Sequence, residues 1–271
     1  MRNPAAPRGI AEAAFQRRAA RAEALAATTP AAEEPLRFAA GLYRVQGGLA
    51  TALERLHAEQ PLSGRLEEDA DRLVDEIGAL LDFAAGHGPP ALAAGARARG
   101  RDDRSVARAR LLAWWSGGRS SAEDYLSRSL LRPYVEVLAD LRVAPDRRHR
   151  PGHCPFCGGP PWIAARRAQS EGDGARRVLG CALCGGEWPV GRIRCPCCEE
   201  EDPAKLPSFQ SQTHPAVRIE ACEACRRYVK SLDLTLDARA IPEVDDLVSL
   251  AMDLWASREG FTRLEPGLAG V

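Results

Sequence analysis

The nine cysteines constrain this 271-residue chain more than anything else in it, because they all lie between positions 154 and 225 and repeat. In order they read Cys154-Pro155-Phe156-Cys157, Cys181-Ala182-Leu183-Cys184, Cys195-Pro196-Cys197-Cys198 and Cys222-Glu223-Ala224-Cys225. Adding 41 to positions 154, 157, 181 and 184 gives 195, 198, 222 and 225, so C-x2-C-x23-C-x2-C occurs twice in tandem. Chance does not reproduce four offsets at once, and the match marks a structural repeat. Cys197 alone stands outside it; its counterpart in the first half is Phe156.

Two cysteines three positions apart can place both sulfurs on one side of a tight turn. Two such knuckles supply four thiolates at the corners of a tetrahedron. That donor set suits Zn²⁺ or a rubredoxin-like iron and does not suit Ca²⁺ or Mg²⁺, which take oxygen. The spacing therefore predicts two metal ions, one on Cys154, Cys157, Cys181 and Cys184, the other on Cys195, Cys198, Cys222 and Cys225. Disulfides are the competing reading, and a reducing cytosol disfavours them. Cys157-Gly158-Gly159 and Cys184-Gly185-Gly186 offer the positive φ angles that a knuckle exit needs. Glu199-Glu200 and Arg226-Arg227 stand in those places in the second half, which predicts less regular turns there. Four thiolates fill the coordination sphere and leave no open position for water or substrate, so the sites are read as structural.

The rest of the chain reads as an α+β protein. Residues 1–150 carry apolar side chains at helical spacing and predict an all-α domain. Its segments are Leu36 to Leu56, Leu66 to Leu81, Val106 to Trp115 and Tyr125 to Leu141, with a loop at Gly86–Pro90 and a kink at Pro133. Residues 151–191 and 192–232 form the two metal modules, with short strands around Ile163, Val178, Trp188, Val217 and Val229. Residues 233–271 form a C-terminal helix, patterned from Val244 to Trp255, and a tail. Lys+Arg and Asp+Glu both number 37, so no basic excess favours a broad nucleic-acid surface. The arginine pairs 166–167, 176–177 and 226–227 and Lys230 read as solvated strand faces. No run of 18 apolar residues predicts a membrane span, and the opening Met1–Arg8 has no apolar signal core, so a cytoplasmic protein without membrane insertion is expected.

Taken together the motifs resemble the FdhE family of formate dehydrogenase accessory proteins. The resemblance rests on Gly152-His153-Cys154-Pro155-Phe156-Cys157-Gly158, on Cys181 to Cys184 closing on Glu187-Trp188, and on Arg194-Cys195-Pro196-Cys197-Cys198. It continues through Glu220-Ala221-Cys222-Glu223-Ala224-Cys225 with Tyr228-Val229-Lys230, then Val244-Asp245-Asp246-Leu247, Ala251-Met252-Asp253-Leu254 and Glu259-Gly260-Phe261. It implies a helical domain followed by two rubredoxin-like (zinc-ribbon-sized) modules, with iron as the expected metal and all eight paired cysteines as its ligands. It also implies a chaperone that contacts the formate dehydrogenase catalytic subunit in the cytoplasm and is not itself an enzyme. The alternatives are a rubredoxin-like electron-transfer or thiol-redox protein and a zinc-ribbon nucleic-acid module, the last disfavoured by the neutral charge. No catalytic constellation stands out. His153 reads as a turn residue, Cys197 as either a reactive thiol or a small buried residue, and one of Trp114 and Trp115 as core.

Overall fold

Alanine, leucine and arginine at helical spacing give a wholly helical first half: α1 (Ile10–Ala26), α2 (Glu33–Glu59), α3 (Leu66–Glu76), α4 (Gly78–His87), α5 (Pro90–Arg99), α6 (Arg104–Trp115) and α7 (Ser121–Asp140). The computed structural model describes residues 9–117, 121–168 and 174–270, with the side chains of α7 described from Tyr125 onward; Met1–Arg8 lies outside these residues. Gly47-Gly48 does not interrupt α2, and a Cβ at Gly47 would stand 3.4 Å from that of Phe15, so this glycine sets how closely α1 approaches. The single pattern from Leu66 to Leu81 is two helices meeting at Ile77. The loop expected over Gly86–Pro90 shrinks to Gly88 and Pro89, because Pro90 opens α5, where a missing N–H costs nothing. α7 runs on through Pro133.

The chain divides into two compact units: Met1–Ala20 with Arg37–Arg148, and Arg21–Leu36 with His149–Val271. The first buries Phe15, Tyr43, Leu53, Leu73, Leu111, Leu131 and Tyr134. Its buried charges are paired: Arg18 and Arg132 each donate to Glu136 at 2.7 Å. Asp69 accepts from the Tyr134 hydroxyl at 2.7 Å and from the backbone N–H groups of Ser63 and Gly64, fixing the turn before α3. Trp114 is core, whereas the Trp115 indole donates to the Asp146 carbonyl, with the Arg147 guanidinium 4.8 Å above its ring. No helix among the described residues is long and apolar enough to cross a membrane.

The second unit is built on one mixed sheet. Its strands are β1 (Pro161–Ala168), β2 (Ala175–Cys181), β3 (Glu187–Pro189), β4 (Ser208–Ser211), β5 (His214–Cys222), β6 (Arg227–Asp233) and β7 (Thr262–Arg263). The order is β3-β2-β1-β6-β5-β4, with β7 added to β6. Each half of the cysteine repeat thus supplies three antiparallel strands, and the halves join through parallel pairing of Ile163–Arg166 with Lys230–Asp233. Arg21 belongs to this unit and donates to Asp245 at 3.0 Å and to Asp237 at 3.2 Å.

The helix expected from Val244 to Trp255 is broken into α8 (Pro242–Asp245), a 3₁₀ turn (Asp246–Ser249) and α9 (Leu250–Arg258). The break lets buried charge decide the packing. Met252, Asp253 and Ala256 face inward, while Leu254 is exposed. Lys230 is not on a solvated strand face; it is fully buried between Asp246 at 2.9 Å and Asp253 at 2.7 Å. Arg263 pairs with the same two carboxylates at 2.9 and 3.2 Å, closing a square of alternating charge. The Tyr228 hydroxyl adds a bond to Asp253 at 2.8 Å. Burial alone would raise the Asp246 pKa, but Arg263 and Lys230 outweigh it and hold the carboxyl below its ordinary value.

Breaking such a square leaves charge buried without its partner. Asp253→Ala is expected to cost the second unit about 3–5 kcal/mol, read as a lower urea midpoint in fluorescence from Trp162, Trp188 and Trp255. An unchanged midpoint would show that the square contributes nothing.

Candidate metal centres

Each knuckle is a tight turn that the backbone closes before any sulfur is considered. In the first, the Cys154 N–H donates to the Gly159 carbonyl and the Gly158 N–H to the Cys154 carbonyl, both at 2.9 Å. In the third, Cys195 N–H donates to Glu200 at 2.8 Å and Glu199 N–H to Cys195 at 3.0 Å. The exit residues all take the left-handed conformation: Gly158 at φ 65°, Gly185 at 67°, Glu199 at 64° and Arg226 at 55°. The irregular turns expected in the second half are therefore absent. Glu199 and Arg226 accept a conformation that costs a side-chain-bearing residue about 1–2 kcal/mol, because the turn's hydrogen bonds and the convergence of sulfurs require it.

These turns bring the eight paired cysteines into two groups, Cys154, Cys157, Cys181 and Cys184, and Cys195, Cys198, Cys222 and Cys225. Within each group all four sulfurs lie within 4.8 Å of one another. Sγ of Cys154 is 3.6 Å from that of Cys184, and Cys157 is 3.4 Å from Cys181. In the second group Cys195 is 3.7 Å from Cys225, and Cys198 is 3.6 Å from Cys222. A tetrahedron with metal–sulfur bonds of about 2.3 Å has edges of about 3.8 Å. A disulfide would need about 2.05 Å. The spacing fits an ion and not a bridge, and every cysteine is a free thiol.

The surroundings also favour sulfur carrying charge. N–H groups of Leu183 and Cys184 point at Sγ of Cys181 at 3.3 and 3.4 Å, Gly186 at Cys184, and Cys197 at Cys195. Such bonds neutralise part of a thiolate's charge and tune the metal it holds. Gly159 belongs to this wall, since a Cβ there would lie 2.7 Å from Sγ of Cys181. Thiols within one group are held differently. Hydrogen bonds from Cys157, Cys181 and Cys184 hold Cys154 low, while burial pushes Cys181 up. In the second group burial raises Cys195 to about 11; at Cys198 burial also acts upward, but the Glu200 N–H and hydrogen bonds from Cys222, Cys195 and Cys225 together outweigh it and hold the thiol down.

The two groups differ in exposure. All four sulfur-bearing residues of the first are buried, but Cys198 is exposed and Cys225 partly so. Cys197 is exposed rather than a small buried filler. His153 joins neither group; its Nδ1 lies 3.1 Å from the Pro151 carbonyl oxygen. Three of the arginines near the sites are ion-paired rather than simply solvated. Arg167 meets Glu187 at 2.6 Å, Arg166 meets Asp233 at 3.1 Å, and the buried Arg177 meets Glu220 at 2.7 Å. Sequence periodicity could not reveal these pairs, since the partners are brought together only by strand pairing.

Residues 193–268 match the family model described as FdhE, C-terminal domain. The chain is 33% identical over 286 residues to a protein FdhE homolog of Pseudomonas putida, an alignment spanning 94% of this chain and 86% of that one. It is 31% identical over 142 residues to a protein FdhE homolog of Aquifex aeolicus, covering 52% of this chain and half of that protein's length. Among solved structures it is similar to the FdhE protein from Pseudomonas aeruginosa, with 29% identity, a TM-score of 0.66 and 94% of both chains covered.

Three outcomes follow from the geometry. Thiols must lose protons to bind an ion, so metal content should fall as pH is lowered, most steeply where burial has raised the thiols. The exposed second group should surrender its ion to a chelator at least several-fold faster than the first; equal rates in a chromogenic chelator assay would contradict the burial argument. Gly159→Ala should lower metal content at the first group and spare the second, read by elemental analysis.

Proposed function

The chain belongs to the FdhE family, and on that premise we propose that it is a maturation chaperone for a formate dehydrogenase catalytic subunit. Cys154, Cys157, Cys181 and Cys184 hold one ion and Cys195, Cys198, Cys222 and Cys225 a second. Iron is the metal the resemblance implies, and zinc is the alternative for the same donors. The observation that carries the reading is closure: each sulfur group already offers four corners of a tetrahedron, so no position is left for water or substrate. An ion bound in this way rigidifies its module and performs no hydrolysis or transfer. The chain accordingly acts by holding another protein, in the cytoplasm, and does not turn over formate. Modules 151–191 and 192–232 carry one ion each, and residues 1–150 supply the helical domain.

The exposure of Cys198 and Cys225 favours a second reading, in which iron in the second module passes electrons at the surface. One experiment separates the two. From an anaerobic extract, the wild-type chain should capture the formate dehydrogenase catalytic subunit, and Cys154→Ala should capture at least about tenfold less while its helical half stays protease-resistant. Co-purification of nucleic acid alone would support the zinc-ribbon alternative instead. Reversible cycling at an iron potential, with electron delivery to an added acceptor and no captured subunit, would replace the chaperone reading by the redox one.

A further inference from the structure

The sheet of the second unit has two unlike faces. One carries Lys230 against α9 and the 3₁₀ turn before it. The other carries Arg166, Arg177, Arg218 and Arg227, which the strand register places on one side of neighbouring strands. Arg192 and Arg194, leading into the third knuckle, join these four around a cavity of about 290 Å³, with Leu206, Val229 and Leu264 as apolar wall.

Six arginines line this cavity against one carboxylate, Glu220. Three of them have carboxylate partners: Arg177 with Glu220, Arg166 with Asp233, and Arg194 with Glu199 and Glu201. The other three have none among the described residues. Arg192 donates to the Ala175 carbonyl at 3.0 Å and Arg227 to the Arg263 carbonyl at 3.3 Å. The Arg218 side chain, half-buried, makes no hydrogen bond or ion pair among the described residues. Cys195 and Cys222 also reach the cavity wall. The six arginines face four carboxylates in these pairs, an excess of two positive charges, and a divalent ion on four thiolates spreads two negative charges over four sulfurs, of which only those of Cys195 and Cys222 belong to residues of the wall. Like charges facing one half-open cavity repel unless an anion sits among them.

We propose that this cavity is a binding site for a small phosphate monoester. Guanidinium forks match phosphate oxygens bidentately, and a phosphate monoester offers three terminal oxygens to Arg192, Arg218 and Arg227 where a carboxylate offers two. The volume admits the phosphate and a small organic group, which the apolar wall would cover. The proposal stands apart from the chaperone reading, and its test needs no dehydrogenase.

The test is isothermal titration of the metal-loaded full chain with AMP, inorganic phosphate and tri-glutamate. AMP and phosphate should bind, and Arg192→Gln and Arg218→Gln should each weaken binding about tenfold, the loss of one charge-assisted contact. Arg239→Gln, at a side chain 87% exposed and outside the cavity lining, should bind as wild type does. Circular dichroism and metal content establish that each variant is folded. Absence of heat at millimolar AMP and phosphate, equal loss in Arg239→Gln, or tighter binding of tri-glutamate than of AMP would each overturn the assignment.

Discussion

Four sulfurs held within 4.8 Å of one another are an unstable arrangement without something to bind them, since each ionised thiol repels the next. Everything in the second unit is arranged around tolerating two such groups. The left-handed exits of the knuckles, the N–H groups aimed at Cys181, Cys184 and Cys195, and the glycine at 159 all exist where sulfur must approach backbone. The sheet then runs between the knuckles, so that strand pairing and sulfur convergence specify the same geometry. Small modules of this kind have little core of their own; Ala164, Leu179 and Val229 form a compact cluster with Trp188, Val190 and Leu264 packed on it. A metal ion on each sulfur group would supply what so small a core cannot.

Chemistry that demands a fixed spacing is legible in the order of the residues alone. The 41-residue offset names both sulfur groups, because metal geometry dictates C-x2-C whatever surrounds it. Local conformation is less legible. Glu199 and Arg226 carry side chains that disfavour positive φ, yet the turn imposes it, so residue preference gives way to ligand geometry. α5 leaves little trace in the pattern, because Pro90 to Arg99 has one leucine among alanine, glycine and arginine, too weak a stripe to mark a helix. Lys230 departs furthest from expectation. A lysine in a strand is ordinarily solvated, and only the approach of Asp246, Asp253 and Ser249 from about twenty residues downstream makes its burial tolerable.

Net charge conceals a similar arrangement. The 37 cations and 37 anions cancel over the chain, but strand register sorts them by face. On β6, Lys230 lies in the buried square while Arg227 points to the arginine-lined cavity on the opposite side, the separation that a period of two imposes. A pair of adjacent strands thus presents a neutral interior ion network one way and a cationic hollow the other.

The two repeats are joined head to tail rather than about a two-fold axis. The first strand of one repeat, β1, pairs with the last strand of the other, β6, so the outer edges are β3, the counterpart of β6, and β4, the counterpart of β1. Such a join is open-ended: the edges left free are of the kind that have already paired, and the same contact would add further repeats or further molecules without limit. Those edges are poor templates for such an addition. β3 has three residues and ends in Pro189, which has no N–H to donate, and β4 has four. The tandem repeat thus carries a fibre-forming geometry whose two ends are the shortest strands of either repeat.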